Sequence, residues 1–196
     1  KRRRDKMTTF GFIGTGHLGS MLIRKLVETG AIEPEDMLAS NRTPEKVERL
    51  ADAFGIRPAS NRVVAELSDV IFICVRPLEV RDVASELAHL LDPRKLLVSV
   101  AGDVSLEKLQ SFCSARMARA FPSMASEKLQ GVTLLAFGDR ATAEDRRLIA
   151  GLFQVIGQAV EAEEKDFAVL ADLTSCAPGY FAALMREFVL AAQRRE

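Results

Sequence analysis

The sequence predicts an α/β protein: a doubly wound, largely parallel sheet followed by the start of an all-helical domain. Three observations carry that expectation. Short apolar runs alternate with amphipathic stretches from Phe10 to Ile156. The run Val70-Ile71-Phe72-Ile73-Cys74-Val75 is apolar throughout, as in a strand buried on both faces of a parallel sheet. After about Glu161 the strand signal stops and helical spacing continues alone. Strands alternating with helices of this length build a doubly wound sheet.

The elements follow in order. Phe10-Gly11-Phe12-Ile13 reads as a first strand ending in glycines, and Met21, Leu22, Leu26 and Val27 give the helix behind it, which stops at Gly30. Met37-Leu38-Ala39-Ser40 is a second strand. Thr43 is placed to cap the next helix with Pro44 at its first position, while Val47, Leu50 and Ala51 face inward. Ile56-Arg57-Pro58-Ala59 is a short third strand and Val70 to Val75 the central fourth. A crossover helix carrying Val83, Leu87, Leu90 and Leu91 leads to a fifth strand, Leu96 to Val100. Leu106 and Leu109 mark a further helix. Met117 to Phe121 and Val132 to Ala136 are strands, and a helix runs from Ala143 to Ile156. Two helices, Lys165 to Leu173 and Pro178 to Gln193, are expected around a break at Ser175-Cys176-Ala177-Pro178-Gly179. The implied organisation is a basic tail over residues 1–7, a first domain over 8–161 and the beginning of a helical domain over 162–196. The last helix presents Phe181, Leu184, Met185, Phe188, Val189 and Ala192 on one side, an apolar face that one helix pair cannot bury alone. It is expected to pack on another subunit or on further chain.

At 196 residues and 48% hydrophobic, the chain is long enough to bury a substantial core. Its 27 basic and 27 acidic residues cancel, so no net field draws nucleic acid or an anionic membrane. Lys1, Arg2, Arg3, Arg4 and Lys6 form a local basic cluster with no apolar run behind it, so it reads as a solvated tail or vector-derived remnant rather than a signal peptide. No apolar stretch approaches the roughly 20 residues that cross a bilayer. Cys74, Cys113 and Cys176 are an odd count without metal or disulfide spacing. Reduced thiols and no export signal point to the cytoplasm.

Gly14-Thr15-Gly16-His17-Leu18-Gly19 is a G-x-G-x-x-G sequence between the first strand and the first helix. Gly14 permits the tight turn, Gly16 lets backbone approach a pyrophosphate, and Gly19 lets helix pack on strand. The helix N-terminus then supplies free N–H groups and a favourable dipole. In this context the hexapeptide marks a Rossmann-type dinucleotide site. The second strand selects the cofactor. NAD sites place an acid about 20 residues onward for the ribose hydroxyls, whereas here the strand ends Ser40-Asn41-Arg42-Thr43. Asn41, Arg42, Thr43 and a new helix N-terminus favour a 2′-phosphate, so NADP is expected, with NAD possible. His17 is either a pyrophosphate contact or a solvent-facing loop position, and His89 reads as a surface or half-buried residue. No His, Cys and acid cluster has metal spacing, and no nucleophile motif such as G-x-S-x-G occurs.

At this point the sequence resembles a family. Gly11 to Gly16, Ser40 to Lys46, Ser68-Asp69-Val70, Val75-Arg76-Pro77, Ser99 to Leu106, Phe121-Pro122-Ser123 and Ser175 to Tyr180 resemble, in order, the signatures of pyrroline-5-carboxylate reductases. The resemblance covers nearly the whole chain from about Phe10. It implies hydride transfer from NAD(P)H to the C=N bond of pyrroline-5-carboxylate, giving proline, and dimerisation or higher assembly through the helical domain. It implies that Asn61 lies by the adenosine ribose, and that Val75, Arg76, Pro77, Ala101 and Gly102 line the cofactor cleft. Ser123 and Ser175 become candidates for orienting the substrate. Glu163 and Glu164 match an acidic stretch near the family's substrate site, or are simply a solvated helix start.

The sequence departs from the family pattern at Arg76, where Lys is usual, and at Ser123, where Asn is usual. An acid, Asp103, follows Ala101-Gly102, and Ser175-Cys176-Ala177-Pro178-Gly179 replaces a Gly-Ser-Gly-Pro-Ala segment. The family's later helices, with the Gly/Thr-rich loop for the substrate carboxylate, do not occur within these residues. The departures resemble a branch that includes a late-competence protein of bacilli. Three readings therefore stand: a pyrroline-5-carboxylate reductase, a non-catalytic NADP-binding regulator on the same fold, and a reductase of another imine or a deazaflavin.

Overall fold

The computed structural model describes residues 8–102 and 104–194. Expectations about the basic tail and Asp103 lie outside them. Eight strands form one sheet in the order β3-β2-β1-β4-β5-β6-β7-β8. They are β1 (Phe10–Ile13), β2 (Met37–Ser40), β3 (Arg57–Pro58), β4 (Val70–Ile73), β5 (Leu96–Ser99), β6 (Arg116–Pro122), β7 (Gly131–Phe137) and β8 (Gly157–Glu161). The first six are parallel, β7 is antiparallel to β6, and β8 is parallel to β7.

Helices cover both faces. On one, α1 (His17–Glu28), α2 (Pro44–Phe54) and α6 (Ala143–Gln154) pack on a cluster centred on Phe12, Phe72 and Phe153. The Phe12 and Phe72 rings stack at 4.8 Å, and Phe153 meets Phe72 edge-on at 6.3 Å. On the other face, α3 (Asn61–Leu67), α4 (Pro77–Leu87) and α5 (Leu106–Gln110) bury Val64, Val80, Leu87 and Leu109 against Ile71, Ile73 and Leu97. The side chains of β4 thus feed both clusters, which is why its sequence shows no polar alternation.

The fold class is as the sequence predicts, and four details differ. Helix α3 was not anticipated: its seven residues make about two turns, too short for apolar spacing to stand out, and its signal is Ser60, whose hydroxyl accepts the Val63 amide at 3.3 Å. Strand β8 was also missed, because this edge strand is half-exposed and carries Gln158 and Glu161 among few apolar residues. The expected break near Ser175 does not occur. After α7 (Phe167–Ala171), residues Asp172–Cys176 form a π turn and run straight into α8 (Ala177–Gln193). Pro178 lacks an N–H and crowds the carbonyl four residues back, and the wider π turn accommodates this without a break.

That continuity corrects a further expectation. Glu164–Gln193 is one 30-residue helical stretch, long and apolar enough to cross a membrane by length and composition, with mean hydropathy 1.4 over its most apolar window. Asp172, Thr174, Ser175 and Pro178 break the run of apolar letters, and only the unbroken helix makes the length visible. Phe181, Leu184, Met185, Phe188 and Val189 are all exposed in the single chain.

Candidate dinucleotide cleft

Strand order reverses between β1 and β4: from β1 the sheet grows outward to β2 and β3, and from β4 toward β8. Open α/β sheets bind ligands at such a switch point, beyond the carboxyl ends of the strands. A cleft of about 770 Å³ occupies that place. Its walls bring together Gly14, Gly16, Asn41, Arg42, Thr43, Asn61, Val75 and Arg76, all expected from the sequence, and add Ser40.

The glycine loop is held on both sides by backbone. The Gly14 amide donates to Ser40 O at 2.9 Å, and the Cys74 amide to Ile13 O at 2.8 Å. Gly14 sits at φ +98°, and a Cβ there would lie 2.9 Å from the Cys74 carbonyl. A Cβ on Gly19 would lie 2.1 Å from Gly14 O, so only glycine lets α1 approach the loop this closely. Gly16 differs: a Cβ there meets nothing within 4 Å, because it faces open space at the N-cap of α1. The amides of His17, Leu18 and Gly19 open the helix and have no carbonyl one turn back to bond. Leu18 turns its side chain to the core, and His17 is exposed. This is the geometry of an anion cradle.

Polar contacts set the adenosine side. Asn41 Oδ1 accepts the Thr15 amide at 3.0 Å, and Asn41 Nδ2 donates to Thr43 O at 3.0 Å, so one side chain ties the glycine loop to the start of α2. Thr43 occupies the N-cap position as expected, but its side chain makes no cap bond. Ser40 Oγ donates to Asn61 Oδ1 at 2.7 Å. Thr15 Oγ1 is buried without a protein partner. Open space at Gly16, free helix-start amides and the orphaned Thr15 hydroxyl all fit a bound dinucleotide.

Glu79 is the residue the sequence reading missed. Its Oε1 accepts from Arg42 NH1 at 3.0 Å and from Arg76 NH2 at 2.7 Å. Its Oε2 accepts from the Arg76 amide at 3.3 Å, and the Glu79 amide donates to Arg76 O at 2.8 Å, so Glu79 caps the start of α4. Hydrogen bonding from Arg76 holds the Glu79 carboxyl at about 2, far below the ordinary carboxylate value. Its signal was present in the spacing, with Pro77 at the first helical position and Glu79 two further on. Pro77 opens α4 but is not among the cleft-lining residues.

Ala101 and Gly102 follow β5 at the same sheet edge but are not part of the cleft wall. Arg119 anchors them. This β6 side chain is 7% exposed and donates to Gly102 O and to Glu164 Oε1, with its guanidinium 5.2 Å from the Phe167 ring centre. Glu164 also accepts the Leu106 amide at 2.8 Å. Glu164 is therefore bound inward, and not a merely solvated helix start. The only hint in sequence was one cation inside the apolar run Met117 to Phe121.

Ser123 and Ser175 are not in the cleft. Both have buried hydroxyls without a hydrogen-bond partner. The Ser123 amide donates to Val132 O of β7 at 3.0 Å, and the π turn that holds Ser175 packs on β7 as well. Burial of the Cys74 thiol behind the glycine loop pushes its pKa up to about 12. Among the described residues no group of three or more His, Cys, Asp or Glu is arranged to hold a metal. His89 lies in a 3-10 turn after α4, away from the cleft wall.

Comparison with known proteins agrees with this architecture. Residues 9–103 match the family described as NADP oxidoreductase coenzyme F420-dependent. ComE operon protein 4 of Bacillus subtilis (strain 168) is 31% identical over 185 residues, covering 93% of this chain and 67% of that protein. Pyrroline-5-carboxylate reductase 3 of the same organism is 30% identical over 192 residues, covering 96% of this chain and 70% of that enzyme. The chain spans between 62% and 70% of the length of such curated relatives. Among solved structures, the Plasmodium falciparum pyrroline carboxylate reductase with NADP bound superposes with a TM-score of 0.85 at 20% identity, over 96% of this chain and 70% of that one. With identity at this level to full-length relatives, and with the glycine cradle and switch-point cleft in place, the chain belongs to the pyrroline-5-carboxylate reductase family.

Proposed function

We propose that this chain is the NADPH-binding part of a cytoplasmic reductase that converts pyrroline-5-carboxylate, a cyclic imine, to proline. The observation that carries the reading is the pairing of an open anion cradle at Gly16 with Arg42, where NAD-selective sites have an acid. The NADP in the P. falciparum relative supports the same cofactor. When bound, the nicotinamide supplies a hydride to the imine carbon, and a proton must reach the ring nitrogen.

In this reading Gly14, Gly16 and the start of α1 hold the diphosphate, Asn61 and Ser40 border the ribose, and Arg42 and Thr43 take the 2′-phosphate. Val75 and Arg76 line the cleft wall beside Arg42, and Ala101 and Gly102, at the end of β5, border the nicotinamide half. Ser123 and Ser175, whose buried hydroxyls lie outside the dinucleotide cleft and are satisfied by no protein group, are the candidates for orienting the imine. The exposed face of α8 is covered by a second copy, so the working form is a homodimer or larger assembly.

A second reading is favoured by one observation, the 31% identity to ComE operon protein 4: a non-catalytic NADP-binding regulator on the same scaffold. Absorbance at 340 nm separates the two. The enzyme reading expects loss of NADPH on adding pyrroline-5-carboxylate to the longest available form of the protein, with NADH slower. Tight NADPH binding with no oxidation would overturn it in favour of the regulator. Arg42→Ala is expected to weaken NADPH roughly tenfold and leave NADH unchanged, since an exposed charge-assisted contact is lost. Equal loss for both cofactors would remove Arg42 from the 2′-phosphate site.

A further inference from the structure

We infer that Glu79 is a built-in competitor for the 2′-phosphate: a specificity-setting carboxylate that occupies Arg42 until the cofactor displaces it. The inference rests on the NADP reading above and adds to it a residue that weakens, rather than makes, the contact. Two guanidiniums converge on Glu79 Oε1, Arg42 at 3.0 Å and Arg76 at 2.7 Å. The two bonds differ in how they can be lost. Arg76 also donates to Oε2 through its Nε at 3.2 Å and its backbone amide at 3.3 Å, and Glu79 stays in place as the capping residue of α4. Arg42 holds Glu79 by one nitrogen, and its side chain is 83% exposed. The Arg42 bond can therefore exchange for a phosphate while Arg76 keeps Glu79 where it is.

That leaves an anion beside the new anion. Glu79 lines the same cleft as Arg42, Thr43 and Lys46. Hydrogen bonding from Arg76 keeps it ionised at every pH at which the protein would be assayed. Two more acids of α4, Asp82 and Glu86, line the cleft, with Lys46 and Arg62 as the opposing cations. Among the described residues only Glu79 bonds Arg42 directly. A 2′-phosphate must break that ion pair and then share the cleft with a carboxylate that only Arg76 still balances, whereas a plain ribose meets neither cost. Glu79 thus narrows the margin between NADP and NAD that Arg42 creates.

The test uses direct binding, with 2′,5′-ADP and 5′-ADP as probes titrated calorimetrically into the wild type, Glu79→Gln, Arg42→Ala and the double variant. Gln keeps an acceptor for the Arg76 amide, and Glu79→Ala removes the charge by a second route if Gln disturbs α4, with thermal melts reporting folding. Glu79→Gln is expected to tighten 2′,5′-ADP roughly two- to fivefold, the range of an exposed ion pair, and to leave 5′-ADP unchanged. In the Arg42→Ala background most of that gain should vanish. A wild type that prefers 2′,5′-ADP, combined with unchanged or weaker binding in both Glu79 variants, would overturn the role of Glu79 alone. A wild type with no preference between the probes would overturn the NADP reading, and this inference with it.

Discussion

Replacing Arg119 by Met tests whether the loop after β5 and the entry to the C-terminal helix are held by one side chain. Met retains the apolar stem, so packing changes little while three polar contacts are lost. Two are charge-assisted hydrogen bonds, to Gly102 O and Glu164 Oε1, worth about 1.5–3 kcal/mol each in favourable surroundings. The third is the approach to Phe167, worth about 0.5–2 kcal/mol. One-sided loss of a buried ion pair costs about 3–5 kcal/mol. Glu164 retains 27% side-chain exposure, so water recovers part of its solvation and the lower end applies, about 3 kcal/mol. Against a total stability of about 5–15 kcal/mol, that is a large fraction. Urea unfolding is the assay, in a cycle with Glu164→Gln, where a coupling of about 1–3 kcal/mol is expected. Glu66→Gln, which breaks the exposed pair with Arg62 at 2.8 Å, is the control and should cost under about 1 kcal/mol. A loss in Arg119→Met no greater than that control, or no coupling to Glu164, would refute the reasoning.

Three further predictions follow from the same geometry. Gly16→Val should fold normally and lose dinucleotide binding, because its side chain enters space that only the ligand occupies, while Gly19→Ala should destabilise the fold, its Cβ lying 2.1 Å from Gly14 O; melts and titrations of the two variants check this contrast. Native Cys74 should resist alkylation at pH 8 while exposed Cys176 reacts, as peptide mass spectrometry would show. Between pH 9 and about 12 the folded chain keeps a Cys74 proton that the unfolded chain gives up, so this group lowers stability as pH rises through that window. Leu184→Glu with Phe188→Glu should lower the sedimenting mass of the assembly proposed above, and an unchanged mass would place its contacts elsewhere.

Much of the sheet was legible because β1 and β4 are apolar runs, β2 and β5 are apolar up to a closing serine, and all four residues of each are buried. Local pattern and tertiary environment agree there. They part company at α3 and β8. Seven residues give helix α3 two turns, and its identity rests on the Ser60 cap and on Val64 and Ala65 reaching the core. β8 owes its existence to β7, through pairs from Gly131 with Gly157 to Leu135 with Glu161, a long-range fact with little local trace. At Pro178 a correct local rule gave the wrong outcome. Proline does disturb the helix, but a π turn absorbs the disturbance, so a bilayer-length helix emerges where a loop was expected.

The site was legible in proportion to how local its chemistry is. The glycine loop works through backbone amides within six consecutive residues, so spacing reveals it. Arg42 was found by what is missing, an acid after β2. Glu79 and Arg119 do their work across the sheet edge, 37 and 45 residues from the partners that define them. No window of sequence holds both ends of those contacts. Yet each left a small irregularity: a capping acid two residues after Pro77, and a charge inside a strand whose neighbours are all buried. A buried cation in a core strand must be paired, because an unpaired charge there would cost several kcal/mol. That requirement alone calls for an acid nearby, and the structure supplies Glu164. Since Glu164 opens the apolar helical stretch and Gly102 lies in the loop after β5, Arg119 ties the start of that stretch to the edge proposed for the nicotinamide. Residues chosen to stabilise one therefore constrain the other.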